Sequence, residues 1–192
     1  TVLVFSWLDQ SATSESGDIW KDWDQMCQAE DNTQIAADEL FGALSMATDW
    51  SVNHEIHLLG HSYGTKVMSH TGVGLKAKMG TEGYKIDRIQ LSLFDSPEKA
   101  PLECANNDLC EILPAFEPNR DTRFVANYIS YYDKCLSDCE GLEWVVDATI
   151  LAYRNYCQSR SSVVDCISCK HEAGVFWYSR ATDDATSGTA YW

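Results

Sequence analysis

The pentapeptide Gly60-His61-Ser62-Tyr63-Gly64 is the stretch of this chain whose residue types and spacing speak most directly of chemistry. A serine hydroxyl becomes a useful nucleophile only with a base to take its proton and a carboxylate to orient that base. Gly-x-Ser-x-Gly supplies the nucleophile when a strand runs straight into it and a helix leaves straight after. The sharp turn then holds the serine in strained geometry with its hydroxyl presented. Side chains at positions 60 and 64 are expected to collide across such a turn, which accounts for a glycine at each. In sets headed by this turn, the acid and then the base follow the serine along the chain. Of the five histidines, His54, His57, His61 and His70 precede or adjoin the turn, and His171 alone comes late enough. His57 and His61 are expected to pack round the strand end, and His54 and His70 to be exposed. Asp95 and Asp133 each close a strand-like segment beyond Ser62, and either suits the orienting acid. The backbone N–H of Tyr63, next after the serine, is the expected donor to an oxyanion.

A second set of chemistry-bearing residues is the cysteines, eight in 192 residues. Cys135-x-x-x-Cys139 with Cys166-x-x-Cys169 has the short paired spacing of a tetrahedral zinc site. An even, high count in an extracellular type of chain reads instead as disulfides, and that reading is carried forward. Cys104 with Cys110, and Cys135 with Cys139, would each close a short loop. No strand leads into a helix at Cys166-x-x-Cys169, as a redox pair would require. No metal and no cofactor is expected. Seven Trp and nine Tyr could line an acyl groove, and Trp177 and Tyr178 lie close to His171 in sequence. They are read as core or rim packing.

The elements that must position these residues follow from the apolar pattern. Thr1–Trp7 is a continuous apolar, β-branched run, as expected of a buried parallel strand. Residues 9–18 are polar and serine-rich and read as a loop. Ile35, Ala36, Leu40, Ala43, Leu44 and Ala47 recur at helical spacing between about Asp31 and Thr48. Glu55–Leu59 reads as a strand entering the pentapeptide. A helix from about Tyr63 to Lys78 leaves it, ended by Gly80 and Gly83. Arg88–Phe94 is a further strand, stopped at Asp95-Ser96-Pro97 because proline cannot continue a ladder. Arg123–Tyr132 is another. Val145–Tyr153 suits a strand or a helix, and a short helix is expected near Phe176–Arg180.

Strands alternating with helices predict an α/β class of fold, with a mostly parallel sheet and helices on both faces. Chemistry in such sheets gathers at the carboxyl ends of the strands, where Ser62 and Asp95 fall. One domain accounts for residues 1–192, with no repeat, low-complexity tract or linker. Neither a signal-peptide pattern nor an initial methionine is present, as expected of a processed or trimmed chain or a piece of a longer one. The formal charge of −15 repels phosphate-rich partners over about 8 Å at physiological salt, so no nucleic acid is expected as a partner. Uncharged esters and zwitterionic lipid interfaces remain compatible with it.

These residues resemble the animal lipase family that includes pancreatic lipase and the phospholipases A1, of the α/β-hydrolase fold. Thr1–Trp7 resembles the family strand ending in Asp-Trp, and Ala29…Asn32 its following Ala-x-x-Asn helix. Leu59-Gly60-His61-Ser62-Tyr63-Gly64 resembles Ile-Gly-His-Ser-Leu-Gly. Arg88-Ile89…Leu93-Phe94-Asp95-Ser96-Pro97 resembles Arg-Ile-x-Gly-Leu-Asp-Pro, whose aspartate is the family's triad acid. The resemblance therefore favours Asp95 over Asp133. Glu117 to Val125 resembles Leu-Asp-Pro-x-Asp-Ala-x-Phe-Val, and Cys169-Lys170-His171-Glu172 the segment bearing the family's catalytic histidine.

The resemblance implies a secreted, disulfide-bonded serine esterase or lipase with Ser62, Asp95 and His171 as its triad. Its partner would be a lipid or small ester, with transient contact at a lipid interface. It also implies that Cys169 closes a lid disulfide with Cys157, over a short enclosed segment, Gln158–Ser168, that would give weak interfacial activation. Glu117 and Asp121 fall near carboxylates that hold calcium in some members; here a solvated loop is expected. The chain departs from the family in having no His-Gly dipeptide, the mark of the family's oxyanion loop. That loop and its strand are expected to precede Thr1, on an N-terminal segment or a separate chain, unless the loop after Trp7 replaces them. The family's C-terminal β-sandwich is likewise not represented. Because an oxyanion donor is typically worth about 10²–10³ in rate, a second reading stands beside the first: a lipid- or small-ligand-binding protein on a lipase scaffold, with little turnover.

Overall fold

A computed structural model of the protein describes residues 4–6, 19–94, 96, 109–119, 121–129, 145–147, 175 and 179. The elements in chain order are helix α1 (Ile19–Ala47), strand β1 (His54–His61), helix α2 (Gly64–Lys78), strand β2 (Ile86–Phe94), helix α3 (Leu109–Phe116), strand β3 (Arg123–Ile129) and strand β4 (Val145–Asp147). The four strands form one sheet in the order β1-β2-β3-β4, every pairing parallel. This is the α/β organisation that the alternating apolar pattern predicts.

Alternation along the strands assigns the two faces of the sheet. Leu58 pairs with Leu91 and Gly60 with Leu93, and Leu91 pairs with Val125. All of these are buried together with Ile89. Leu109, Leu113 and Phe116 of α3 and Leu75 of α2 join the same core. Gly72 of α2 sits so close that a Cβ there would lie 3.0 Å from Leu91 Cδ2 and 3.4 Å from Phe116 Cε2. Among the described residues the two helices that lie between successive strands, α2 and α3, therefore gather on one face, where helices on both faces were expected; right-handed crossovers in a sheet of sequential order require this. A second cluster, Ala36, Ala37, Leu40 and Val67, seals α1 onto α2. On the other face Ser92, Phe94 and Ala126 are buried, whereas Glu55, His57 and Leu59 of β1 are exposed.

Several expectations change. Residues 4–6 form no strand; Val4 is 91% exposed, and Phe5 packs against the α1–α2 cluster. Apolar composition at the start of the chain thus reports a docking contact in these residues rather than sheet pairing. α1 begins at Ile19 instead of near Asp31. α3 was not anticipated; it carries Pro114 in its interior, yet Leu109, Ile112, Leu113 and Phe116 form one buried stripe at helical spacing. Val145–Asp147 is a strand, which decides between the two readings of that segment for these three residues. Positions 175 and 179 are helical, at the place of the expected tail helix.

Candidate active site

The pentapeptide lies where β1 turns into α2. Ser62 has φ +54°, the left-handed region that an L-residue other than glycine, asparagine or aspartate seldom adopts. Gly60 explains the tightness of the turn. A Cβ there would stand 2.4 Å from the Gly64 carbonyl oxygen and 2.8 Å from Thr65 Cα, so only glycine lets the strand end pass the helix start. The matching expectation for Gly64 finds no support among the described residues, where a Cβ at that position meets nothing within 4 Å. Among the described residues the crowding is one-sided, because Gly64 contributes backbone to the clash at Gly60 while its own Cβ direction meets none of them.

Backbone bonds fix the turn. The Ser62 N–H donates to the Phe94 carbonyl at 3.0 Å, and the Ser62 carbonyl accepts the Thr65 N–H at 3.0 Å. The Thr65 hydroxyl donates to the same carbonyl at 2.6 Å. Tyr63 is the N-cap of α2, with φ −58° and ψ −21°. Its N–H therefore belongs to the helix-start donors that have no intrahelical acceptor, the property an oxyanion donor needs. Burial, and secondarily the Glu30 carboxylate, pushes the Tyr63 phenol up to about 12, so this side chain is neutral at any physiological pH.

Behind the turn lies a charged pair that sequence reasoning missed. Lys66 Nζ makes an ion pair with Glu30 Oε1, their side chains 0% and 4% exposed. Lys66 Nζ also stands 5.8 Å from the centre of the Tyr63 ring. The pair ties α1 to the first turn of α2. Removing one partner of a buried pair leaves an uncompensated charge and typically costs about 3–5 kcal/mol. A lysine and a glutamate 36 positions apart carry no local signal of pairing, and each in isolation reads as surface.

The histidines divide differently from expectation. His57 is exposed over much of its surface, but its Nε2 lies 2.8 Å from the buried Ser92 hydroxyl, and desolvation pushes its imidazole below the ordinary range. His70, expected to be exposed, is partly buried on α2; desolvation lowers its pKa, opposed by Asp38 and aided by Lys66. His54 is not a free surface group either: its Nε2 lies 2.7 Å from the Asp49 carbonyl and its ring packs edge-on to Trp50. His61 ends β1, partly buried.

Asp95, Asp133 and His171 lie outside the described residues, as do Cys104, Cys135, Cys139, Cys157, Cys166 and Cys169 with the lid segment, and Trp177 and Tyr178. The structure thus places Ser62 and Tyr63 together and describes the residues flanking Asp95, Phe94 and Ser96. Cys27 is disulfide-bonded, a residue that the spacing argument left unassigned. Among the described residues no group of three or more His, Cys, Asp or Glu side chains is arranged to hold a metal ion. Around residues 117–119 and 121–123 several acceptors already have partners. Asn119 Oδ1 takes the Asp121 and Thr122 amides at 3.0 and 2.9 Å, the Glu117 carbonyl takes Arg123 Nε at 2.8 Å, and the Glu117 carboxylate pairs with Lys76 at 3.2 Å.

No family model matches the chain, and no curated protein and no solved structure matches it.

Proposed function

We propose that this protein is a secreted serine hydrolase that cleaves carboxylic, lipid-type esters, with the α/β-hydrolase organisation its motifs resemble. The observation that carries the reading is the Ser62 turn: a non-glycine residue at φ +54° between a parallel strand and a helix, with Gly60 admitting no side chain. Such backbone strain persists where the surroundings over-determine it, and it clusters at functional sites. In the proposed reaction Ser62 Oγ attacks the ester carbonyl while His171 takes its proton. The tetrahedral oxyanion is held by the Tyr63 N–H, and His171 then protonates the departing alcohol. Water attacks the acyl-serine with the same base, releasing the acid. Asp95 holds His171 in the productive tautomer; the roles of Asp95 and His171 rest on chain order and on the resemblance. The disulfide at Cys27 fits an oxidising, extracellular compartment. Among the described residues no helix is long and apolar enough to cross a membrane.

Intact mass after treatment with a fluorophosphonate tests the reading. One adduct is expected on the wild type and none on Ser62→Ala, with hydrolysis of a short-chain ester lost in parallel. A folded wild type that takes no adduct would sink the hydrolase mechanism and leave a lipid- or ligand-binding role in its place.

A further inference from the structure

Among the described residues two helical hydroxyls reach across the fold: Thr71 meets a backbone carbonyl, that of Ala37, at 3.4 Å, whereas Thr65 meets a second side-chain hydroxyl. Thr33, Ser69 and Thr71 each donate to a carbonyl three or four residues back, at 2.7, 2.8 and 2.8 Å, an ordinary habit of serine and threonine in helices. Thr65 does the same to Ser62, but its Oγ1 also lies 2.7 Å from Ser96 Oγ, thirty-one positions away. Thr65 and Ser96 are both 0% exposed, so neither hydroxyl can turn to water. Each hydroxyl has one proton. With the Thr65 proton on the Ser62 carbonyl, the Ser96 hydroxyl supplies the bond between the two oxygens. Phe94 and Ser96, the neighbours of Asp95 in sequence, are thereby both tied to the turn: one through the Ser62 amide at 3.0 Å, the other through Thr65.

We propose that Thr65 and Ser96 are positioning residues for the Ser62 reaction, a buried hydroxyl relay that aims the oxyanion donor; this rests on the reading of Ser62 as nucleophile. The Ser62 carbonyl and the Tyr63 N–H belong to one planar peptide unit. Whatever fixes the direction of that carbonyl also fixes the direction of that N–H. Thr65 grips the carbonyl from the helix side, and Ser96 keeps the Thr65 oxygen from rotating away. The grip also opposes relaxation of the left-handed φ at Ser62. An oxyanion donor acts on the charge that develops in the transition state, so loosening it lowers the rate of the chemical step and leaves ground-state binding alone.

The test is the saturable labelling of purified, disulfide-intact protein by a fluorophosphonate, read as kinact and KI. Thr65→Val is expected to lower kinact about tenfold with KI within about twofold, and Thr65→Ser to restore most of the rate. Ser96→Ala should lower kinact about threefold. Combined with Thr65→Val it should add nothing, because residues acting through one contact are not additive. Ser69→Ala, which removes an ordinary back-bond on the same helix, should match the wild type. Thr65→Val at wild-type kinact, or a loss that appears in KI instead, overturns the relay while the serine-hydrolase reading stands. Should Thr65→Val fail to fold, Ser96→Ala at wild-type kinact overturns it equally. A wild type that is not labelled at all overturns both.

Discussion

The two ends of α2 both require backbone in the left-handed region, and the chain meets the requirement with different residues. At the far end Gly80 and Gly83 take φ +77° and +85°, and a Cβ at either would meet none of the described residues within 4 Å. Glycine is there for its torsion angle alone. The near end puts Ser62 at φ +54° and places its glycine, Gly60, where space and not torsion demands it. The surroundings differ to match. Round the far turn Trp50 packs against His54 and Tyr84 at 5.4 and 5.3 Å between ring centres, with Lys78 Nζ 5.2 Å from the Tyr84 ring. The near turn is braced by buried polar groups: Thr65, Ser96, Lys66 and Glu30. A turn that needs only a shape uses glycine. On the proposed reading, a turn that needs a hydroxyl at that shape accepts strain and surrounds it with directional bonds. Positive φ alone does not mark a site, since Glu117 has φ +51° where α3 ends.

The sharpest way to break this contrast is to exchange the two causes for glycine. Gly60→Ala drives a methyl into backbone that cannot move aside, and overpacking of this kind costs about 1–3 kcal/mol or more. We expect the upper part of that range, with fluorophosphonate labelling abolished. Gly64→Ala meets none of the described residues, and stability within about 1 kcal/mol of the wild type is expected. Urea midpoints of the two variants check this; equal losses would show that the crowding at Gly60 is relieved by a small shift of the helix start.

A smaller effect concerns strain. A left-handed backbone costs an L-residue with a Cβ roughly 1–2 kcal/mol. Gly80→Ala introduces that cost where nothing is gained, and a loss of about 1 kcal/mol is expected. Ser62→Gly removes it. Against Ser62→Ala, which keeps the Cβ, Ser62→Gly should be more stable by about 0.5–1 kcal/mol after allowing for the greater freedom of glycine in the unfolded chain. Both variants lose labelling. Thermal melts of the three proteins decide the matter, and a Ser62→Gly no more stable than Ser62→Ala would mean that the turn stores no strain at position 62.

How much of this was legible in the sequence depends on the range of the interaction. β1 and β2 were readable from their short apolar runs and α2 from the glycines that end it, and the strand–turn–helix frame of Ser62 followed from them. The open side at Gly64 was not, because a motif says nothing of the direction of a Cβ. The stripe Leu109, Ile112, Leu113 and Phe116 was available as a signal for α3, but the spacing of Cys104 and Cys110 drew attention to a short bridged loop instead. Residues 4–6 show the opposite error, an apolar run whose Phe5 docks on helices instead of extending the sheet. The Glu30–Lys66 and Thr65–Ser96 connections join residues more than thirty positions apart, and only tertiary packing brings them together. The α/β class was therefore accessible from local pattern, while the bracing of the turn was not.

The smallest expected effect separates the turn from the sheet beneath it by pH. Desolvation lowers the pKa of both His57 and His70 in the folded protein, from an unfolded value of about 6.5. A depressed folded pKa means that the unfolded chain binds the proton more readily. The stability tied to these imidazoles is therefore full above about pH 6.5 and declines as pH falls through that value towards the folded pKa. Carboxylates titrate lower: Asp49, held below its usual range by the Ser51 hydroxyl and amide, contributes its loss only in more acid solution. Urea midpoints between pH 7.5 and 5.5 should thus decrease in the wild type and decrease less in His57→Gln, which keeps a polar partner for Ser92 without a titrating ring. His70→Gln should act separately, because Asp38 and Lys66 offset one another beside it. The fluorophosphonate-labelling profile of His57→Gln should follow the wild type over the same range, since His57 meets Ser92 within the sheet whereas the Ser62 backbone is bonded to Phe94 and Thr65. An unchanged stability slope in His57→Gln would show that water reaches the ring well enough to cancel the desolvation. A displaced labelling profile would show that the sheet face and the Ser62 turn titrate as one unit.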